Sequence, residues 1–242
     1  MIQIHELGYA YAGGQDALRG VSLSLERGGL HVLAGANGSG KSTLLALMAG
    51  LYLPSTGTLV VGGRSGEDIR DLARLVMQDA DLQILGGSVG EDLLLGRENR
   101  AGMEQEAGAL LDRFHMQGLW DRAVHTLSGG MKRKLCLAAA LLDNPELLLL
   151  DEPMSGLDYP AMLELRSILA ANAVQGVTQV VSVHDLEPVI DLADTLTVLS
   201  GGVVALHGKP ESVLDAVREH HVRPPATWQA GLGIRSWDVG ND

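Results

Sequence analysis

The sequence predicts an α/β fold built on a mostly parallel sheet. Three observations carry that prediction. The apolar run His31-Val32-Leu33-Ala34 passes through a glycine-rich loop into the helix-like stretch 42–49, giving strand, loop and helix in succession. A second unbroken run, Leu147-Leu148-Leu149-Leu150, follows the turn signal Asp143-Asn144-Pro145 and has the composition of a central strand covered on both faces. A third, Val180-Val181-Ser182-Val183, stands directly ahead of His184.

In chain order, Ile2-Gln3-Ile4-His5, Val21-Ser22-Leu23-Ser24-Leu25 and Thr58-Leu59-Val60-Val61 read as strands, and Leu75-Val76-Met77 as another before Gln78. A helical segment covers about residues 89–120 and holds a Glu-rich amphipathic run over 103–114. Leu127-Ser128-Gly129-Gly130 opens a further helix over 131–142. After His184, Leu186-Glu187-Pro188 reads as helical. Thr195-Leu196-Thr197-Val198-Leu199 and Val203-Val204-Ala205-Leu206 flank Gly201-Gly202, a hairpin signal, and a helix follows near 210–219. From Arg223-Pro224-Pro225 onward the text is irregular.

The loop Gly35-Ala36-Asn37-Gly38-Ser39-Gly40-Lys41-Ser42 has the pattern of a phosphate cradle, in the strand-to-helix context such a cradle needs. Gly35, Gly38 and Gly40 permit backbone angles that a Cβ forbids, so successive N–H groups, with those of Asn37, Ser39 and Thr43, face phosphate oxygens at a helix N-terminus. Lys41 reaches the β- and γ-phosphates, and the Ser42 hydroxyl ligates Mg²⁺. Asp151 and Glu152 close the second buried strand, at the carboxyl end where open α/β sheets bind ligands. Asp151 is expected to hold Mg²⁺ and Glu152 to orient and polarise the attacking water.

With these strings the chain resembles the nucleotide-binding subunits of ATP-binding-cassette transporters over roughly residues 1–215. Leu127-Ser128-Gly129-Gly130 matches the family's signature motif, Ser155-Gly156-Leu157-Asp158 its D-loop, and the remaining motifs appear in the family order. The resemblance implies a P-loop NTPase cassette, with a RecA-like core sheet, an antiparallel β lobe formed by the opening strands, and a helical signature subdomain over about 89–142. It implies an ATP-binding domain over 1–220; the C-terminal tail over 221–242 carries no readable motif, and of the two alternatives, disorder or packing on the dimer, its Trp228 and Trp237 favour the second. The resemblance gives Tyr11 the stacking contact to adenine, Gln78 a place at the metal, and His184 a contact to the γ-phosphate. Ser128, Gly129 and Gly130 would bind that phosphate in the opposite subunit, so the chain is expected to work as a homodimer or with a paralogous ATPase. Met131 departs from the family, which commonly has Gln or Glu there.

Gln78-Asp79-Ala80-Asp81-Leu82-Gln83-Ile84, followed by Ser88-Val89 and Glu91-Asp92, resembles the corresponding region of energy-coupling-factor ATPases, although Ala80 and Leu82 depart from their usual pattern. That implies a metal-ion importer, such as one for cobalt or nickel, or a vitamin importer, such as one for biotin. Its partners would be an integral membrane transport subunit (T component) and a substrate-binding membrane subunit. An acidic groove receiving a basic residue of the membrane partner would be lined by Asp81, Glu91 and Asp92. The rival class is a cassette ATPase without membrane partner, of the iron–sulfur scaffold-assembly type; another importer or exporter is the nearer variant.

Composition fits this reading. The 242 residues suffice for a substantial core, and the formal net charge of −12 disfavours nucleic acid and anionic lipid as direct partners. No apolar stretch approaches the ~20 residues of a membrane span, and no leader is read at the N-terminus. A peripheral place on the cytoplasmic face of the membrane, reached through a protein partner, is the expectation. Cys136, the single cysteine, fits a packed thiol, and the histidines other than His184, including His220-His221, read as ordinary polar residues.

Overall fold

The computed structural model describes residues 1–237. In order it contains β1 (Ile2–Ala10), β2 (Asp16–Leu25), β3 (Leu30–Ala34), α1 (Lys41–Met48), β4 (Thr56–Val61), β5 (Ala73–Val76), α2 (Val89–Leu94), α3 (Met103–Arg113) and α4 (Gly129–Leu141). There follow β6 (Leu147–Asp151), α5 (Tyr159–Val174), β7 (Thr178–Val183), β8 (Thr195–Ser200), β9 (Val203–Gly208), α6 (Pro210–Val213) and α7 (Ala226–Gln229).

Two sheets form, as expected. β2, β1 and β4 pair antiparallel in that order, while the larger sheet runs β5-β6-β7-β3-β8-β9, parallel except for the β8–β9 hairpin. Every residue of β3, β6 and β7 is buried, as parallel strands covered on both faces require. The pleat divides them between two cores. Leu33, Leu147, Leu149 and Val180 join α1 and the antiparallel lobe on one face, and Val32, Leu148, Leu150 and Val181 join α4 and α5 on the other. Adjacent parallel strands also bring their carboxyl ends together: Ala34 is in register with Val183, Asp151 with Ser182, and Val76 with Leu150. The loops leaving β3, β5, β6 and β7 therefore share one edge of the sheet, the usual place for ligand chemistry in such folds.

The structure breaks three predicted helices. The 89–120 segment divides into α2 and α3 because Gly96 and Gly102 take left-handed φ values of 73° and 85°, Gly102 as the N-cap of α3. Glycine at 90 lets Trp120 pack on α2, since a Cβ there would fall 2.4 Å from the indole. The stretch after His184 is a turn leading to a single 3₁₀ turn, Ile190–Leu192. Its Pro188 carbonyl accepts from Arg166 Nη1 at 2.6 Å, and the same guanidinium clasps the Asp191 carboxylate at 2.8 and 2.6 Å, so tertiary bonds replace helical ones. The helix expected near 210–219 is α6 followed by the 3₁₀ turn Val217–His220.

The described part of the tail packs on its own chain. Trp228 Nε1 donates to Asp215 Oδ1 at 2.8 Å, and the Trp237 ring lies 5.2 Å from Tyr159 and 5.6 Å from the Arg166 guanidinium. Residues 238–242 of that tail lie outside the described part. Cys136 is buried, and desolvation pushes its thiol up to about 12, as an unreactive packed cysteine requires.

One polar hub ties the helical region to the sheet. Asp143, in the turn between α4 and β6, accepts from Arg74 Nε at 2.7 Å, Arg97 Nη2 at 2.7 Å and Arg100 Nη1 at 3.1 Å. Burial alone would raise its carboxyl, but the bonds from Arg97 and Arg74 outweigh it and hold the group well below the usual carboxylate range. A depressed folded value contributes stability that is complete above the unfolded value of about 3.9 and is lost as pH falls through the folded one. Asp143→Asn should therefore cost about 2 kcal/mol at pH 7, less than the loss of a fully buried pair because Arg100 is half exposed. Urea unfolding from pH 7 downward checks this: the gap should hold steady to about pH 5 and narrow below about 4. Equal midpoints at pH 7 would refute it.

Candidate active site

The cradle is shaped by steric exclusion. Gly35 has φ 156°, and a Cβ there would lie 2.4 Å from the Leu199 carbonyl oxygen; Gly40, the N-cap of α1 at φ 105°, would meet Leu18 Cδ2 at 2.7 Å and the Ala17 carbonyl at 2.9 Å. Lys41, only 5% exposed, turns back over the loop and donates from Nζ to the carbonyls of Gly35 at 2.9 Å and Ala36 at 3.3 Å. A cleft of about 380 Å³ lies against the loop, lined among others by Tyr11, Asn37, Gly38, Ser42, Gln78 and Glu152. The Ser39 hydroxyl is buried with no protein partner. Tyr11 stands over the start of α1, its hydroxyl 2.8 Å from Thr43 Oγ1.

Across the cleft, Glu152 is the point where four strand ends meet. Its Oε1 lies 3.4 Å from Lys41 Nζ, and its Oε2 lies 3.1 Å from His184 Nδ1 and 3.4 Å from Gln78 Nε2. Lys41 follows β3, Gln78 follows β5, Glu152 follows β6 and His184 follows β7, so the parallel topology alone gathers these four predicted residues. Glu152 also has φ 45°, a left-handed conformation that costs a non-glycine residue of order 1 kcal/mol or more. That strain is held by Ser182, which accepts from the Glu152 N–H at 2.9 Å and donates to Asp151 Oδ1 at 2.5 Å. Ser182 was not among the residues singled out by sequence reasoning. Its signal is a buried hydroxyl interrupting an apolar strand.

The signature lies elsewhere. Ser128 caps α4, its Oγ accepting from the Met131 N–H at 3.3 Å, with Gly129 and Gly130 in the first turn. Ser128 and Gly129 are exposed, and none of Ser128, Gly129 and Gly130 lines the cleft of the same chain. Met131 packs on the larger core. Asp158 caps α5 by accepting from the Ala161 N–H at 3.0 Å. Two residues beyond Met131, Arg133 donates to the carbonyls of Pro153 at 3.1 Å, Ser155 at 2.5 Å and Gln78 at 3.1 Å. That half-buried guanidinium joins the signature helix to both loops of the acid cluster, and no local pattern in the sequence announces it.

The three carboxylates assigned to a partner groove do not share one role. Asp92 is buried, and its Oδ1 accepts from the N–H groups of Leu85 at 2.8 Å and Gly86 at 2.9 Å. Glu91 closes a capping box with Ser88 and also accepts from Gly87 at 3.0 Å. Asp81 is exposed, at 69%, and pairs with Lys132 of its own chain at 2.5 Å, while Glu91 is exposed but committed to its capping box. Glu91 and Asp92 thus brace the loop that presents Asp81, and burial takes Asp92 out of any groove surface.

The residues present fit a nucleoside triphosphate with its cation. A loop with no room for a Cβ at Gly35 or Gly40, a buried lysine at its base, an orphan serine hydroxyl within it and the N-terminus of α1 make a site for phosphate oxygens. Ser42, Asp151 and Gln78 offer the oxygen donors a hard cation such as Mg²⁺ takes.

The chain is similar to known ATP-binding cassettes. A family model described as ABC transporter matches residues 18–155. The chain is 37% identical over 233 residues to the cobalt import ATP-binding protein CbiO of Rhodobacter capsulatus, covering 90% of this chain and 83% of that one. It is 32% identical over 241 residues to the energy-coupling factor transporter ATP-binding protein EcfA of Methanothermobacter thermautotrophicus, covering 94% and 78%. Among solved structures, cbiO1 from Clostridium perfringens, described as part of the ABC transporter complex cbiONQ, is similar with a TM-score of 0.77 at 29% identity, over 90% of this chain and 93% of that one. A dimeric ATP-binding cassette in a post-hydrolysis state, bound to ADP and Pi, gives 0.78 at 25% identity, over 86% and 98%.

Proposed function

The chain belongs to the ABC transporter family, and on that premise we propose that it powers an energy-coupling-factor importer for a metal ion such as cobalt or nickel, or for a vitamin such as biotin. Its reaction is ATP hydrolysis coupled to transport. The observation that carries the mechanism is the convergence of Lys41, Gln78 and His184 on the Glu152 carboxylate.

In this reading Glu152, fixed by Ser182, orients and polarises the attacking water, and Lys41 balances charge on the β- and γ-phosphates. His184 contacts the γ-phosphate, and Tyr11 stacks on the adenine. Ser42, Gln78 and Asp151 hold Mg²⁺, which when bound neutralises charge on the phosphates. Since the signature is exposed and apart from its own cleft, Ser128, Gly129 and Gly130 complete the site of a facing subunit, a second copy or a paralogous ATPase, with Asp158 at the same junction. The triphosphate bridges the two and favours the closed pair until hydrolysis removes the bridge.

No helix among the described residues is long and apolar enough to cross a membrane. We place the subunit on the cytoplasmic face through an integral membrane transport subunit, beside a substrate-binding membrane subunit, with Asp81 facing the transport subunit. The names borne by the cobalt-import and energy-coupling-factor relatives support importer over exporter. Affinity purification of the tagged chain from membranes, followed by ATP-dependent uptake of labelled Co²⁺, Ni²⁺ and biotin in vesicles holding the recovered complex, tests the proposal. A small integral membrane partner and uptake of one solute are expected. Recovery with a soluble iron–sulfur scaffold and no membrane protein would overturn it.

A further inference from the structure

Three tyrosines cluster at the mouth of the cradle, and only Tyr11 has been given a role. Tyr9 and Tyr52 stack nearly parallel, with centroids 5.2 Å apart and planes at 10°. Tyr11 stands edge-on to both, at 5.2 Å and 88° from Tyr9 and at 6.1 Å and 84° from Tyr52. These are the preferred geometries of aromatic pairs. The Tyr11 hydroxyl is fixed at its other end, 2.8 Å from Thr43 Oγ1.

The elements behind the three rings differ. Tyr9 is in β1, Tyr11 lies just past the end of that strand, and Tyr52 comes from the segment between α1 and β4. That segment is laced to β1 by the Ser55 N–H on the Gly8 carbonyl at 2.8 Å and by Ser55 Oγ, which accepts from the Ala10 N–H at 3.3 Å. Tyr52 is thereby held beside β1, against Tyr9 and Tyr11. Tyr11 remains 43% exposed and Tyr52 39%, which is uncommon for rings whose task is only to fill a core.

We infer that Tyr52, with Tyr9, is a positioning residue for nucleobase recognition: the stacked pair fixes the Tyr11 ring so that its open surface receives the base while the cradle receives the phosphates. This rests on the reading of the cleft as an ATP site and assigns the base its support. Each aromatic pair adds a modest increment, and a ring held in place before binding loses less freedom when the base arrives. The increment belongs to the base alone, so it is absent for a ligand that consists only of phosphates.

Titration calorimetry of the intact protein with ATP and with inorganic tripolyphosphate, which has neither base nor ribose, separates the possibilities. Tyr52→Ala should weaken ATP about fivefold, or about 1 kcal/mol, and leave tripolyphosphate affinity unchanged within twofold. Tyr52→Phe, which keeps the ring and loses only the hydroxyl, should bind both ligands as the unmodified chain does. An alanine variant that binds ATP normally, or loses both ligands equally, overturns the inference. Failure of the unmodified chain to bind ATP any tighter than tripolyphosphate would instead remove the reading of the base site on which it stands.

Discussion

Glu152→Gln is expected to bind ATP, to hydrolyse it about 10²–10³-fold more slowly, and to accumulate as a closed dimer. Glutamine keeps the size and shape of the side chain, so the left-handed backbone at 152 and its Ser182 bond are preserved. What is lost is the charge proposed to polarise water. The Lys41 ammonium, now 3.4 Å from the carboxylate, is released from that partner and left to the phosphates, so binding should hold or strengthen. His184 and Gln78, the other two neighbours of the carboxylate, remain to contact the nucleotide. Single-turnover hydrolysis and gel filtration with Mg²⁺ and ATP read the two effects separately. Turnover within tenfold of the unmodified enzyme would take Glu152 out of the water-orienting role; a monomer at saturating nucleotide would break the proposed two-subunit site.

The site's main parts were legible because parallel strands leave a strong local signature. Leu147–Asp151 and Leu30–Ala34 are unbroken buried runs, and each ends directly on its functional residues. Placement after a fully buried strand also pointed to His184, whereas Gln78, which follows the half-buried edge strand β5, was assigned by the family resemblance. What stayed hidden depends on contacts made across the fold. Arg133 earns its place by reaching the carbonyls of Gln78, Pro153 and Ser155, far apart in sequence. The turn after His184 looked helical until Arg166 claimed the Pro188 carbonyl and the Asp191 carboxylate. Glu91 shows the opposite failure. Ser88 and Glu91 carry the spacing of a capping box, a local pattern that competes with any reading of the acid as free for a partner.

Mixing two inactive variants should restore activity that neither has alone, and this is the sharpest consequence of a signature set apart from its own cradle. Gly130→Asp places a carboxylate in the first turn of α4. A Cβ at Gly130 meets only Leu157 Cδ2 at 3.6 Å and Ala161 Cβ at 3.9 Å, ordinary contacts, and an acid at a helix N-terminus favours the helix, so the subunit should fold normally. The same acid would repel the γ-phosphate offered by a facing subunit, and hydrolysis should fall at least about 10²-fold. Lys41→Ala should be as inactive for the opposite reason, since its cradle loses the charge that meets the phosphates while its signature stays intact. In a mixed pair, the intact cradle of the Gly130→Asp chain faces the intact signature of the Lys41→Ala chain, giving one complete site. With random pairing, half the pairs are mixed and each holds one good site of two, so ATPase activity should recover to about a quarter of the unmodified level. Activity that stays at the level of the separate variants, in a mixture shown by cross-linking to contain the mixed pair, would mean that each chain completes its own site.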